Sequence, residues 1–230
     1  MSSTEPGLRE RKKTSTRRAL SDAALNLALT HGMDAVRRED IAEAAGVSPR
    51  TFTNYFSTKY EALAYRQVER MRRSVEVLRE RPADEPLWDA ITAAVVGPLE
   101  DDGGDRVVPT PGMLGDLRLL LAAPEMQAVL AERVFQHDGE LVRAIAGRTG
   151  TDPERDLYPR LVAASVGATW QAATEIYLRA DPPVPVVSVL REALALVAAG
   201  LPDPSGTASV RAPHAPLGRP SDTDDERNGS

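Results

Sequence analysis

The chain has 230 residues, of which 42% are hydrophobic and only 4% aromatic, and its formal net charge is −6. A chain of this length can bury one or two sizeable cores, and this composition is ordinary for a globular protein. The sequence contains no cysteine, which excludes disulfides, thiolate zinc sites and cysteine nucleophiles. We find neither a signal peptide nor an apolar run of ~18–20 residues, so we expect a cytoplasmic protein that does not enter a membrane.

Charge is distributed unevenly along the chain. Residues 1–80 carry 15 basic and 11 acidic side chains, a net charge of +4, whereas residues 81–230 carry 13 and 23, a net charge of −10. Because phosphate binding responds to local charge, a basic amino-terminal part on an acidic body is compatible with nucleic-acid binding. The alternative is that these basic residues are ordinary charged residues on solvent-exposed helix surfaces and bind nothing.

Periodic apolar residues predict helices along the whole chain and no strand of useful length, so the predicted fold class is all-α. Residues 1–10 are predicted to be a disordered arm, and residues 202–230, with five prolines, a disordered tail. Residues 97–112 are predicted to be a loop from their glycine, proline and aspartate content. The predicted helices span about residues 11–30, 38–45, 49–56, 58–79, 87–96, 113–121, 124–147, 157–180 and 184–199.

A short turn at Gly46 joins the second and third predicted helices. Gly46 allows the positive φ that ends a helix, Ser48 is a good N-cap, and Pro49 suits the first helical position. Small apolar residues precede the turn, and Phe52 and Phe56 follow it at helical spacing. A helix–turn–helix of this kind can lay its second helix in the major groove of DNA.

Residues 41–63, IAEAAGVSPRTFTNYFSTKYEAL, resemble the helix–turn–helix of the tetracycline-repressor (TetR) family of bacterial transcription regulators. The resemblance implies a DNA-binding head at residues 11–60 and a helical ligand-binding and dimerisation body at residues 61–201. It also implies a dimeric repressor that a small molecule releases from a palindromic double-stranded DNA operator. The matching residues are Ile41, Ala42, Ala45, Gly46, Val47, Ser48, Thr51, Phe52, Tyr55, Phe56, Lys59, Ala62 and Leu63.

By this resemblance, residues 49–56 form the recognition helix. Its Arg50 and Asn54 lie four residues apart on one face, and such side chains can contact guanine and adenine through two hydrogen bonds each. The alternative is that both are plain surface residues. The resemblance further implies that Thr51 lies at the DNA face and that Tyr55 and Lys59 contact phosphate. The predicted DNA-binding set is Arg37, Arg38, Ser48, Arg50, Thr51, Thr53, Asn54, Tyr55 and Lys59.

Two parts of this set depart from the family pattern or remain open, and a further segment lies outside it. Thr53 stands where many relatives have an aromatic residue, so a ring contact is replaced by a hydroxyl. Arg37 and Arg38 either touch DNA at the start of their helix or pair with the acidic residues that follow them. Residues 9–13 are expected to form an arm that can enter a minor groove.

The last two long predicted helices correspond to the family's dimer surface, which implies a homodimer. On the first, an apolar stripe contains small residues that permit close approach of a second helix. The alternative is that the stripes face the core of their own protomer. The stripes are Leu157, Leu161, Ser165, Ala168 and Ala172 on the first helix and Leu190, Leu194 and Val197 on the second.

The opposite face of residues 157–180 carries Trp170 and Tyr177, which combine a large apolar area with a polar group. With residues of the preceding helices they are predicted to line a cavity for an apolar or amphipathic effector, and the alternative is an ordinary core. Two Leu/Ala-rich segments are similar to a family branch that senses fatty acyl-CoA, which implies a phosphate contact for Arg118. The predicted ligand-binding set is Leu117, Arg118, Leu120, Met126, Phe135, Val166, Trp170 and Tyr177.

Catalytic patterns are missing from the sequence. His31, His137 and His214 are scattered, and there is no glycine-rich phosphate loop and no HExxH motif. We therefore expect no enzyme, no metal site and no cofactor. The rival class is a helical dimeric adaptor without specific DNA binding.

Overall fold

The computed structural model describes residues 7–104 and 108–203, except for the side chains of Glu10 and residues 133–138. Within these ranges the chain forms nine α-helices, a short 3-10 helix (Met33–Ala35) and no strand, so the predicted all-α class is confirmed. Among the described helices, none is both long and apolar enough to cross a membrane. The helices are α1 (Leu8–His31), α2 (Arg38–Ala44), α3 (Pro49–Tyr55), α4 (Lys59–Glu80), α5 (Leu87–Asp101), α6 (Pro111–Ala122), α7 (Pro124–Thr149), α8 (Leu157–Arg179) and α9 (Val186–Ala198).

Helix α1 begins at Leu8, earlier than the sequence predicted. No proline or glycine interrupts the chain between Gly7 and Gly32, and its leucine, arginine and lysine residues are good helix formers. Residues 8–10 are therefore helical rather than part of a disordered arm, and residues 9–13 do not form an extended arm. The remaining residues of the predicted arm and tail, 1–6 and 204–230, lie outside the described residues.

Helix α5 extends five residues into the predicted loop. Pro98 lies inside this helix, and Pro98 and Leu99 are both buried in the body of the protein. The helix ends where Gly103 adopts a positive φ of 83° and the N–H of Gly104 bonds to the carbonyl of Leu99 at 2.7 Å. Tertiary burial of the two apolar side chains thus outweighs the local preference of a Gly-Pro pair for a loop.

Helix α4 contributes to three separate apolar clusters. Ala62 is buried in the head cluster, which α1, α2 and α3 complete around Leu20, Ile41 and Phe52. Ala64 packs with Leu120 of α6 and Met126 of α7 in a smaller junction cluster. The carboxyl-terminal half of α4 joins the large body cluster formed with α5, α7, α8 and α9. One continuous helix therefore connects the head to the body.

The two predicted dimer stripes differ in their exposure. On α8, Leu157 and Leu161 are 68% and 53% exposed, so this stripe faces away from the protomer's own core. On α9, Leu190 and Leu194 are each 1% exposed and belong to the body cluster, where α9 packs against α5 and α8. The prediction that these two leucines form an external stripe is wrong, because α5 covers that side of α9.

Candidate nucleic-acid interface

The turn between α2 and α3 has the local geometry that its sequence predicts. Gly46 has a φ of 68°, and the N–H of Val47 bonds to the carbonyl of Ala42 at 2.9 Å, which closes the end of α2. Ser48 then caps α3, because its hydroxyl accepts a hydrogen bond from the N–H of Thr51 at 3.1 Å. Pro49 occupies the first turn of α3, where its missing N–H leaves no bond unmade.

Helix α3 has one buried face and one exposed face. Phe52 is fully buried, and its ring lies 6.0 Å from that of Phe56, which in turn meets Tyr65 of α4 at 5.7 Å. These aromatic contacts fix α3 on the head. Arg50 and Asn54 are exposed and share the outer face. The structure therefore brings the two predicted base-reading side chains together on the surface.

Hydroxyl groups at the start of α3 already have local partners. The hydroxyls of Ser48 and Thr51 are 2.8 Å apart, and Thr53 donates to the carbonyl of Pro49 at 3.1 Å. Each oxygen can still accept or donate a further bond, so a phosphate contact from these residues stays a prediction.

The start of α2 presents Arg37 and Arg38, both exposed. The carboxylate of Asp40 accepts a hydrogen bond from the backbone N–H of Arg37 at 2.9 Å and so caps α2. This capping role of Asp40 does not involve the guanidinium groups.

Lys59 has a structural role that its sequence position did not reveal. Its ammonium donates to the carbonyls of Met33 at 2.7 Å and Val36 at 3.0 Å, and it lies 5.7 Å from the ring of Tyr60. It therefore fastens the segment between α1 and α2 to the start of α4. Tyr55 is half-buried at the end of α3, with the Arg17 guanidinium over its ring at 5.7 Å.

The predicted ligand-binding residues lie in different parts of the body. Leu117, Leu120 and Met126 belong to the junction cluster, whereas Val166 and Trp170 pack in the body cluster. Tyr177 is half-buried, and burial raises the pKa of its hydroxyl. Arg118 donates to the carbonyl of Leu178 at the end of α8. The side chain of Phe135 lies outside the described residues.

A cluster of charged residues between α4 and α5 was missed by sequence reasoning. We call it the Asp102 cluster: Arg66, Arg70, Arg73 and Asp102. The Asp102 carboxylate accepts from Arg70 at 2.7 Å and from Arg73 at 3.0 Å, and Arg66 lies 3.6 Å away. Arg66 also binds Asp22 of α1 at 3.0 Å, so the cluster reaches the head. The arginine spacing was visible in the sequence, but their partner fell in a predicted loop.

The electrostatics of the Asp102 cluster favour the charged carboxylate. Partial burial by itself would raise the pKa of Asp102. The hydrogen bond from Arg70 and the charges of Arg70, Arg73 and Arg66 outweigh burial and hold that pKa below its ordinary value.

No group of three or more histidine, aspartate or glutamate side chains in the described part of the chain is arranged to hold a metal ion.

Two protein families match the chain. The family described as "Bacterial regulatory proteins, tetR family" matches residues 20–64, and the "MftR C-terminal domain" matches residues 85–202. The chain is 34% identical over 195 residues to the HTH-type transcriptional regulator TcmR of Streptomyces glaucescens, covering 81% of this chain and 84% of that one. It is 27% identical over 192 residues to MftR of Mycobacterium tuberculosis, a protein assigned to the regulation of mycofactocin biosynthesis, covering 83% and 93%.

Solved structures of other proteins share this architecture. The fatty acid degradation regulator FadR from Bacillus halodurans superimposes with a TM-score of 0.55 at 19% sequence identity, covering 86% of this chain and 98% of that one. At this identity the likeness concerns the fold, a helix–turn–helix head followed by a helical body.

Proposed function

The chain belongs to the TetR family of bacterial regulatory proteins and is a helix–turn–helix transcriptional regulator, and we propose that it acts as a homodimeric repressor released from its operator by a small molecule. The observation that carries this proposal is the two-sided geometry of α3. Phe52 anchors the helix in the head cluster, while Arg50 and Asn54 remain exposed on its outer face. A rigid helix with free polar side chains is what major-groove reading requires.

Each predicted DNA contact has a distinct task in the proposal. Arg50 and Asn54 read base edges, and each well-formed pair of hydrogen bonds discriminates by ~1–3 kcal/mol. Other contacts go to phosphates and set the register of the head on the duplex. The phosphate contacts are assigned to Arg37, Arg38, Ser48, Thr51, Thr53, Tyr55 and Lys59. The operator of such a regulator lies on the bacterial chromosome, so we propose that the protein is cytoplasmic.

The proposed dimer uses the exposed stripe of α8 together with the outer face of α9. Leu157, Leu161 and Ile176 of α8 and Leu196 of α9 are large apolar side chains left exposed in the protomer. Ala168 and Ala172 lie between them and are also exposed, so a second helix can approach closely. Two helices from each protomer would form a four-helix bundle and bring two α3 helices onto a palindromic operator.

The proposed effector is an apolar or amphipathic small molecule, with fatty acyl-CoA as the first candidate to test. Trp170 and Tyr177 are half-buried and offer apolar area with a polar group. In this proposal Leu117, Leu120 and Met126 of the junction cluster and Val166 of the body cluster supply further apolar contacts. A phosphate bound by Arg118 would replace the carbonyl of Leu178 as the partner of its guanidinium.

In this proposal, ligand binding in the body releases the protein from DNA by moving α4. The junction cluster joins Leu120 and Met126 directly to Ala64, five residues after α4 begins beside α3. A ligand that displaces α6 or α7 would therefore move the head end of α4 and change the spacing of the two α3 helices. Reversing occupancy from 99:1 to 1:99 requires the ligand to prefer the released state by ~5.5 kcal/mol.

The test is footprinting of the purified protein on DNA upstream of its own gene and neighbouring genes at physiological salt. We expect a protected, roughly palindromic site, and we expect Arg50→Ala to abolish protection. The matched control is Arg79→Ala, which removes one exposed positive charge at the far end of α4 and should leave protection unchanged.

Two results would count against the proposal. Equal losses from both substitutions would mean that only net charge matters. Failure of the folded wild-type protein to bind any DNA would favour the adaptor. Acyl-CoA thioesters of several chain lengths, added to the protected complex, then test the effector, and an unchanged operator affinity would exclude that class.

A further inference from the structure

The amino-terminal part of α1 projects beyond the head. The first buried side chain of α1 is Leu20, and the described side chains from Leu8 to Ala19 are exposed or half-buried. We call residues 8–19 the basic spur. It carries six basic residues and one acidic residue, Glu10. At ~1.5 Å per residue its twelve residues extend about 18 Å.

A contact at the base of the spur fixes its position relative to the recognition helix. The guanidinium of Arg17 lies over the ring of Tyr55, the last residue of α3, at 5.7 Å from its centroid. Arg17 is half-buried by its surroundings. The spur is therefore attached to the head beside the carboxyl-terminal end of α3.

Five of the six basic residues of the spur lie on two opposite sides of the helix. Arg9, Lys13 and Arg17 follow one another at intervals of four residues, so successive members are only about 40° apart around the helix axis. Their side of the helix includes the contact with Tyr55. Arg11 and Arg18 are seven residues apart and project from the opposite side.

From this arrangement we infer that the side of the spur formed by Arg9, Lys13 and Arg17 binds the phosphate backbone of DNA flanking each half-site. The inference rests on the proposed function, because Tyr55 marks the edge of the proposed interface. The partner is the polyanionic backbone, since the spur offers cations along about 18 Å and no apolar stripe.

The helical form of the spur also determines which part of DNA it meets. An α-helix with its side chains is ~10–12 Å across, whereas the minor groove is ~6 Å wide. A rod of this width lies across the phosphates and does not enter the groove as an extended arm would. The spur therefore adds affinity and register to binding and carries no direct reading of base sequence.

The test compares two double variants of the full-length protein that remove equal charge from opposite sides of one helix. Arg9→Gln/Lys13→Gln removes the inferred contacts, and Arg11→Gln/Arg18→Gln is the matched control. Operator affinity is measured by fluorescence anisotropy over a range of salt concentrations. Each phosphate contact contributes ~0.9 to the slope of log affinity against log salt, so loss of two contacts per protomer should lower the slope by about 3–4 in a dimer.

We expect the first variant to bind at least ~10-fold more weakly at physiological salt, on operator and on random DNA alike, with the control close to wild type. Equal slopes for the two variants would overturn the inference. So would a wild-type hydroxyl-radical footprint with no protected backbone outside the half-sites. If folded wild-type protein bound no DNA, the proposed function itself would fail, and that outcome is distinguishable because no variant is needed to reach it.

Discussion

Replacing Lys59 by methionine should lower the stability of the head, and we expect this to be its main effect. The carbonyl of Val36 would lose its lysine donor, and that of Met33 would keep only the backbone N–H of Val36 at 3.2 Å. A hydrogen bond from a charged group contributes ~1.5–3 kcal/mol, and water can reach this half-buried site, so we expect a combined loss of about 2–3 kcal/mol. In a chain of this size 1 kcal/mol shifts the Tm by ~2–4 °C, which gives a decrease of about 4–12 °C.

The assay is thermal and urea unfolding followed by circular dichroism. Arg50→Met is the matched control, because it also replaces a cation of the head but one that is exposed on α3. We expect its Tm to stay within ~2 °C of wild type, since exposed substitutions rarely exceed ~0.5 kcal/mol. Lys59→Arg should restore part of the lost stability. Unchanged stability of Lys59→Met together with lost DNA binding would refute the reasoning and make Lys59 a phosphate ligand alone.

Three further changes should have measurable effects. Arg148 donates to four backbone carbonyls at the end of α4 and in the loop to α5, so Arg148→Met should lower the urea unfolding free energy by about 2–4 kcal/mol, and a change below ~0.5 kcal/mol would contradict this role. The pKa of Asp102 is lower in the folded protein than in the unfolded chain. Its carboxylate therefore stabilises the fold above the unfolded-state pKa, and this contribution is lost as pH falls through the folded-state pKa. The difference between wild type and Asp102→Asn, about 1–2 kcal/mol at neutral pH after allowance for solvent screening, should therefore shrink below about pH 4; a difference independent of pH would contradict it. Leu161→Glu should yield monomers in sedimentation equilibrium with an unchanged circular dichroism spectrum, and a persisting dimer would place the interface elsewhere.

Local signals predicted the head well, and long-range contacts account for what was missed. The positive φ of Gly46 and the cap by Ser48 depend only on neighbouring residues, so the sequence is sufficient to predict them. The partners of Lys59 lie 26 and 23 residues earlier in the chain, and no periodicity reveals such a contact. The family resemblance implied phosphate as the partner of this lysine, whereas its ammonium donates to two backbone carbonyls.

In the body, sequence patterns predicted helices but did not determine which face is covered. The sequence predicted an apolar stripe on α9 that would face a second protomer. In the structure, Leu190 and Leu194 of that stripe face α5 and α8 of their own protomer. The choice depends on the position of α5, whose last turn was itself predicted to be a loop. Because that turn positions Asp102, the error also hid the Asp102 cluster.

The course of α4 through all three apolar clusters limits how heads and bodies of related regulators can be exchanged. A head cut at residue 60 would lack Ala62, which is completely buried in its cluster, and would lose the ring contact between Phe56 and Tyr65. A working chimera would have to change parent within α4, beyond Tyr65, and keep the exchanged segment in helical phase with the recipient body. Recombination between relatives at the end of the helix–turn–helix would therefore produce unstable proteins, even where both parents fold well.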